Sequence, residues 1–144
     1  MRPHVRRAGA LDTGAMSRLL ATLRPAGDRP TAAQLGALLI QPRTLLHLAE
    51  DDTGTLLGLQ WIEPLPDHPD AARIATFTRP GPEGLAIGSA LFTHTCDAAR
   101  AAGYLWIRAE IPATNTGALA YYQSRGFEET LPTGPDRRFK RYDL

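Results

Sequence analysis

The stretch Ile74–Phe127 constrains the fold more than any other part of this chain. It reads as a strand (Ile74–Arg79), then a turn holding Pro80, Gly81 and Pro82, then the segment Gly84–Leu91 and a helix from Gly88 to about Ala102. A second strand follows, in which Leu105, Ile107, Ala109 and Ile111 alternate with Trp106, Arg108 and Glu110. Asn115 then opens a second helix carrying Tyr121 and Tyr122, stopped by Gly126-Phe127. A strand that feeds a glycine-bearing turn into a helix start leaves backbone N–H groups unpaired at the positive end of the helix dipole. Such an end receives phosphate-type anions.

The flanking segments supply the rest of one domain, residues 1–144. His4–Ala8 is a short strand, and Asp12 or Thr13 is an N-cap for a helix with Ala15, Met16, Leu19, Leu20 and Leu23 on one face. Thr31 and Gln34 form a capping box ahead of Leu35, Leu38 and Leu39. Thr44–Ala49 and Thr55–Glu63 are strands joined by the turn residues Asp51–Gly54. Pro64–Asp70, with three prolines, reads as a surface loop. Phe127–Thr130 and Arg137–Tyr142 are further strands around a Pro132–Pro135 turn. The order is strand, two helices, three strands, helix, strand, helix, two strands. It predicts a mixed α/β (α+β) domain on a mostly antiparallel central sheet.

Composition excludes several function classes. The 144 residues carry a net charge of +1, which argues against nucleic acid as the main partner. The basic cluster Arg137, Arg138, Lys140 and Arg141 alternates around Phe139 as an exposed edge strand would. No apolar run approaches the about 18 residues of a membrane span. Cys96 is the only cysteine, so no internal disulfide forms, and a cytoplasmic location is expected. No cluster of side chains suggests a metal. A dinucleotide-binding fold would place its three glycines after the first strand. The corresponding Gly84, Ala86 and Ser89 lie far along the chain, which rejects that reading.

Two motifs carry a resemblance. Glu83-Gly84-Leu85-Ala86-Ile87-Gly88 followed by Ser89-Ala90-Leu91 is similar to the acyl-CoA loop Gln/Arg-x-x-Gly-x-Gly/Ala. Asn115, Ala118, Tyr122, Gly126 and Phe127 match the signature Asn-x-x-Ala-x-x-x-Tyr-x-x-x-Gly-Phe in full. Together they make the chain resemble the GNAT superfamily of acyl-CoA-dependent N-acetyltransferases, over nearly its whole length. Glu83 and Ala86 depart from the loop pattern. Ala86 fits a cradle of backbone N–H groups only with a negative or mildly strained φ, since a Cβ penalises the left-handed region.

The resemblance implies a sheet with splayed middle strands, acetyl-CoA as co-substrate, and transfer of the acetyl group to the amine of a small molecule or peptide. It assigns the cofactor site to Phe77, Thr78, Arg79, Gly84, Leu85, Ala86, Ile87, Gly88, Ser89, Ala90 and Asn115. Tyr122 protonates the leaving thiolate, and a phenol with a pKa of about 10 holds that proton at neutral pH. The strand Ile74–Thr78 offers no carboxylate as base, so Glu63 and Glu110 are the nearest candidates, with proton removal through water equally allowed. The acceptor groove is expected between the first two helices, the Pro64–Asp70 loop and the Pro132–Pro135 turn, with Trp61, Glu63, Asp67 and Asp70 drawing in a cationic amine. The resemblance also allows a homodimer through the last strands. Read without it, Tyr121 and Tyr122 pack, Asn115 is an N-cap and Gly88 is a packing glycine. His47 and His94 read as surface or core histidines, and Cys96 as a packed or surface thiol. A non-catalytic acyl-CoA-binding module on the same fold is the alternative function.

Overall fold

The computed structural model describes residues 2–130 and 134–144, so part of the expected Pro132–Pro135 turn lies outside the described residues. The elements are β1 (His4–Arg7), a 3-10 turn (Ala10–Asp12), α1 (Thr13–Leu23), α2 (Ala32–Ile40), β2 (Leu45–Glu50), β3 (Leu56–Leu65), β4 (His68–Thr78), α3 (Gly84–Ala101), β5 (Trp106–Pro112), α4 (Thr116–Ser124), β6 (Glu128–Thr130) and β7 (Arg137–Asp143). The strands form one sheet in the order β1-β2-β3-β4-β5-β7-β6. Every neighbouring pair is antiparallel except β4–β5, whose crossover is α3.

Alternation along the strands sorts side chains into two layers. Leu46, Leu48, Leu59 and Trp61 face α1 and α2, where they meet Met16, Leu19, Leu20 and Leu35. Ile62, Ile74, Ile107, Ala109 and Ile111 face the other way, onto Phe92, Cys96 and Ala99 of α3 and Tyr122 of α4. Cys96 is a core residue whose thiol is pushed up to about 11 by burial, as packing rather than nucleophilic use requires. The Thr31–Gln34 capping box opens α2 as its residues predict. Asp12 precedes α1 but makes no side-chain cap. Its carboxylate holds Arg6 at 2.7 Å and the Gly9 N–H at 2.7 Å instead.

Three expectations need correction. Pro64–Asp70 is not a surface loop: β3 runs to Leu65, β4 starts at His68, and a two-residue turn at Pro66-Asp67 joins them. Pro64 is tolerated because β2 has already ended. Its last partner on β3 is Ile62, so the missing Pro64 N–H leaves no acceptor unmet. The basic strand β7 is not an edge, because it lies between β5 and the three-residue β6. Lys140 is accordingly buried, and Arg138 pairs with Glu129 at 2.6 Å. Finally, α3 begins at Gly84 rather than Gly88, so the whole Gly84–Gly88 segment is helical.

His47 of β2 is 5% exposed and lies beneath α3, with its Nδ1 unpartnered among the described residues. Burial first, then the nearby charges of Arg7 and His94, lower its pKa to about 4 from 6.5. The folded state therefore holds His47 neutral, while the unfolded chain protonates it below pH 6.5. The stability this carries is complete above that pH and is lost as pH falls toward 4. Denaturant titrations at pH 7 and pH 5 should differ by about 2 kcal/mol from this group. A His47→Leu variant should lose that part of the difference, and an unchanged pH slope in the variant would assign it elsewhere.

Candidate active site

The parallel pair β4–β5 is joined only from Ala71–Trp106 to Ile74–Ala109. Beyond that point β4 continues to Thr78 and β5 to Pro112 without pairing, which is the expected splay. Backbone parity decides which groups it exposes. The Arg79 N–H bonds to Leu57 C=O of the β3 side at 2.8 Å, while Asp70 C=O takes the Leu105 N–H at 2.8 Å. Odd residues of β4 thus face β3 and even residues face β5. Among the residues expected to meet the cofactor, Thr78 presents its N–H and C=O to the gap, together with Thr76. The backbone groups of Phe77 and Arg79 point to β3.

Two cavities meet at this gap. One, of about 670 Å³, is lined by Thr76, Phe77, Thr78, Gly81, Gly84, Leu85, Asn115 and the α4 residues Tyr121 and Tyr122. The other, of about 1000 Å³, lies between α2, the segment before it and the ends of β3, β4 and β5, and includes Trp61, Glu63, Glu110 and Arg137. Arg24, Thr76, Phe77, Asn115, Ala118 and Tyr122 line both. Asp67 and Asp70 line neither, since the β3–β4 turn sits at the opposite end of those strands.

At the first cavity the start of α3 offers free donors. The Gly84 N–H bonds to Gly81 C=O at 3.2 Å and the Ile87 N–H to Glu83 C=O at 3.0 Å. Between them, the Leu85 and Ala86 N–H groups find no backbone acceptor among the described residues. Positive φ falls on Gly81 (133°), upstream of the helix, and not on Ala86. The departure at Ala86 is therefore absorbed without strain. Glu83 is exposed at the N-cap and makes no side-chain cap bond. Ile87 is a core residue, Ala90 is half-buried, and the Ser89 hydroxyl is occupied by Arg125 Nη1 at 2.8 Å.

Gly88 has a packing role. A Cβ there would stand 2.6 Å from Cε1 of Tyr121, whose ring fills the space. Gly88→Ala should destabilise the protein by about 1–3 kcal/mol through this overpacking. Thermal unfolding of the variant checks it, and a shift of less than a degree would mean that α4 moves aside freely.

The hydroxyl network above Gly88 can be given directions. Tyr121 OH donates to Gly88 C=O at 2.8 Å, so its oxygen can only accept from Gln60, 3.2 Å away. The Gln60 group facing it is then the amide NH2, whose second N–H goes to Thr76 Oγ1 at 2.8 Å. Thr76 Oγ1 lies 2.8 Å from Tyr122 OH. Either hydroxyl can donate across this contact, since the Thr76 oxygen keeps a second lone pair beside the one that Gln60 uses. Burial raises both phenols, Tyr121 to about 12 and the 5% exposed Tyr122 further still.

The signature residues hold this geometry. Asn115 Oδ1 accepts the Ala118 N–H at 3.0 Å and caps α4, leaving its amide N–H groups toward the cavities. Gly126, at φ 97°, ends the helix, and the Phe127 N–H turns back to Tyr122 C=O at 3.0 Å. Glu63 and Glu110 line the second cavity but are already engaged. Glu63 accepts from Trp61 Nε1 at 3.0 Å and Arg73 at 3.3 Å, while Glu110 accepts from Arg108 at 3.1 Å and pairs with Arg73 at 3.9 Å. Sequence reasoning passed over Thr76, Gln60 and Arg125. The register His47–Gln60–Thr76 across β2, β3 and β4 was the available signal, a polar row on a face otherwise apolar.

Comparison with known proteins agrees with this construction. Among solved structures, PaiA N-acetyltransferase from Thermoplasma acidophilum in complex with coenzyme A superposes with a TM-score of 0.83 at 15% identity, covering 100% of both chains. The phosphinothricin acetyltransferase from Sinorhizobium meliloti with acetyl-CoA gives 0.83 at 17% identity, covering 100% of this chain and 89% of that one. YncA of Salmonella typhimurium, a putative acetyltransferase with acetyl-CoA, gives 0.81 at 19%, covering 100% and 95%. At such identities the likeness concerns the fold alone. No curated protein matches. The model of the acetyltransferase (GNAT) family, however, matches residues 15–127, which span the splay, the first turn of α3 and the Asn115–Phe127 signature, and the chain belongs to that family.

Proposed function

We propose that this protein transfers the acetyl group of acetyl-CoA to the amine of a small molecule or peptide, with Tyr122 as the general acid. The carrying observation is the place of Tyr122, which lines both cavities, with its hydroxyl 2.8 Å from that of Thr76. The Leu85 and Ala86 N–H groups would receive the pyrophosphate at the α3 dipole. Thr76 and Thr78 would bond the pantetheine arm as a neighbouring strand does. The three relatives above carry acetyl-CoA or coenzyme A in their structures, which supports this choice of co-substrate.

In the reaction the acceptor nitrogen forms a bond to the thioester carbon and loses a proton to water. Glu63 and Glu110, with the exposed Asp28, are the carboxylates that line this groove and that such water can reach. As the C–S bond breaks, Tyr122 gives its proton to the departing sulfur, and the Thr76 hydroxyl donates to the phenolate left behind. A thiolate whose conjugate acid has a pKa of about 8.5 would not take a proton outright from a phenol raised above 10. Transfer must therefore accompany bond cleavage, and the Thr76 donor lowers its cost. Thiol release from acetyl-CoA over a panel of amines tests the reading. Coenzyme binding without turnover on any amine would favour a sensor on the same fold instead.

A further inference from the structure

The second cavity carries a charge pattern that speaks to the acceptor. Six charged residues line it: Arg24, Asp28, Arg29, Glu63, Glu110 and Arg137. The two glutamates are balanced locally by Arg73 and Arg108 on the same sheet face. Asp28, Arg24, Arg29 and Arg137 form no ion pair among the described residues. Three guanidinium groups thus stand against one unpaired carboxylate; Asp28 and Arg137 are solvent-exposed, Arg24 and Arg29 are not.

Arg24 and Arg29 are half-buried. Each spends an Nη1 donor on a backbone carbonyl, Arg24 on Leu23 at 3.2 Å and Arg29 on Arg24 at 2.7 Å. Those contacts fix the side chains while leaving most of their donors for a ligand. A half-buried, unpaired guanidinium is costly unless an anion meets it, and planar oxyanions meet it best. The floor between the arginines and the Thr76–Tyr122 junction is aromatic: Trp61 and Phe77 stack at 5.5 Å and 28°, and the Arg24 guanidinium lies 5.7 Å from the centre of the Phe77 ring.

We propose that the acceptor is a carboxylate-bearing amine. Its carboxylate is held by Arg29 and Arg137, its apolar middle rests on Trp61 and Phe77, and its amine reaches Tyr122. This rests on the acetyl-transfer reading above.

The experiment compares matched acceptors that differ only in the anion: α-, β- and ω-amino acids with aliphatic or aromatic chains, each against its carboxamide. Acetylation is followed by mass spectrometry, and binding to the coenzyme-A-loaded protein by calorimetry. The acid of the best pair should exceed its amide by roughly tenfold or more in kcat/KM. Arg137→Gln and Arg29→Gln should each lower the acid's value by about tenfold more than the amide's, mainly through KM. Arg24 is left out of the test because it also lines the first cavity. Equal use of acid and amide, preference for the amide, or binding of neither would overturn the proposal. Acids that bind in an arginine-dependent way but are never acetylated would uphold the anion site and remove the transferase reading.

Discussion

Tyr122→Phe should lower kcat by about 10²- to 10⁴-fold, the usual range for a lost general acid, with little change in the KM for acetyl-CoA. The ring stays where it is, 5.1 Å from Phe127 and 5.0 Å from Tyr121, so the fold should not suffer. Thr76→Val keeps the shape of its neighbour and removes the donor to the phenolate. It should lower the rate as well, and Thr76→Ser should restore most of it. The pH profile gives an independent check. Burial raises the Tyr122 phenol above its ordinary 10, so deprotonation of this acid cannot produce a falling limb below that pH. A rate that declines between pH 8 and 9, or a Tyr122→Phe enzyme as fast as the parent, would assign the proton to another group.

Phe127→Ala should cost about 3–5 kcal/mol of stability, the largest effect expected of any single truncation here. Phe127 is 3% exposed and stands at the centre of an aromatic cluster, 5.5 Å from Phe92, 5.1 Å from Tyr122 and 5.4 Å from Tyr142. Its N–H also closes the end of α4. Truncation would leave a void under Tyr122 and loosen the helix that aims it. Urea unfolding measures the loss, and a value below about 1 kcal/mol would mean that the cluster collapses around the gap. Activity in the variant should fall further than stability alone explains, because the acid would no longer be held.

The parts of this fold legible in the chain were those where one residue type has one physical use. Asn115 caps, Gly126 takes a positive φ, Phe127 fills a core, and their fixed spacing gave both the helix and the family. The order of elements could likewise be read, because apolar alternation and helical periodicity are local properties. What could not be read was set by partners distant in sequence. Pro64 looked like a loop residue until the end of β2 explained why it needs no donor. Gly88 looked like part of a phosphate loop, yet its missing Cβ is required by Tyr121, 33 residues later. The Arg137–Arg141 run looked like an edge, but β6 closes over it. Glu63 and Glu110 could be named as candidate bases from their place along the strands, but not their ion pairs with Arg73 and Arg108.

The gap between β4 and β5 means that the protein folds with a strand edge inside it that none of the described residues completes. The amides of Thr76 and Thr78 sit on that edge, while Phe77 and Arg79, one residue away, are tied to β3. Hydrogen exchange should read this alternation residue by residue: fast at 76 and 78 in the free protein, slow at 77 and 79. Acetyl-CoA should slow the first pair and leave the second unaltered. The two cleft walls are already parted, so none of the binding energy goes to opening them. The free protein is correspondingly the less stable form, and saturating coenzyme at 100 times its Kd should raise the unfolding free energy by about 2.7 kcal/mol.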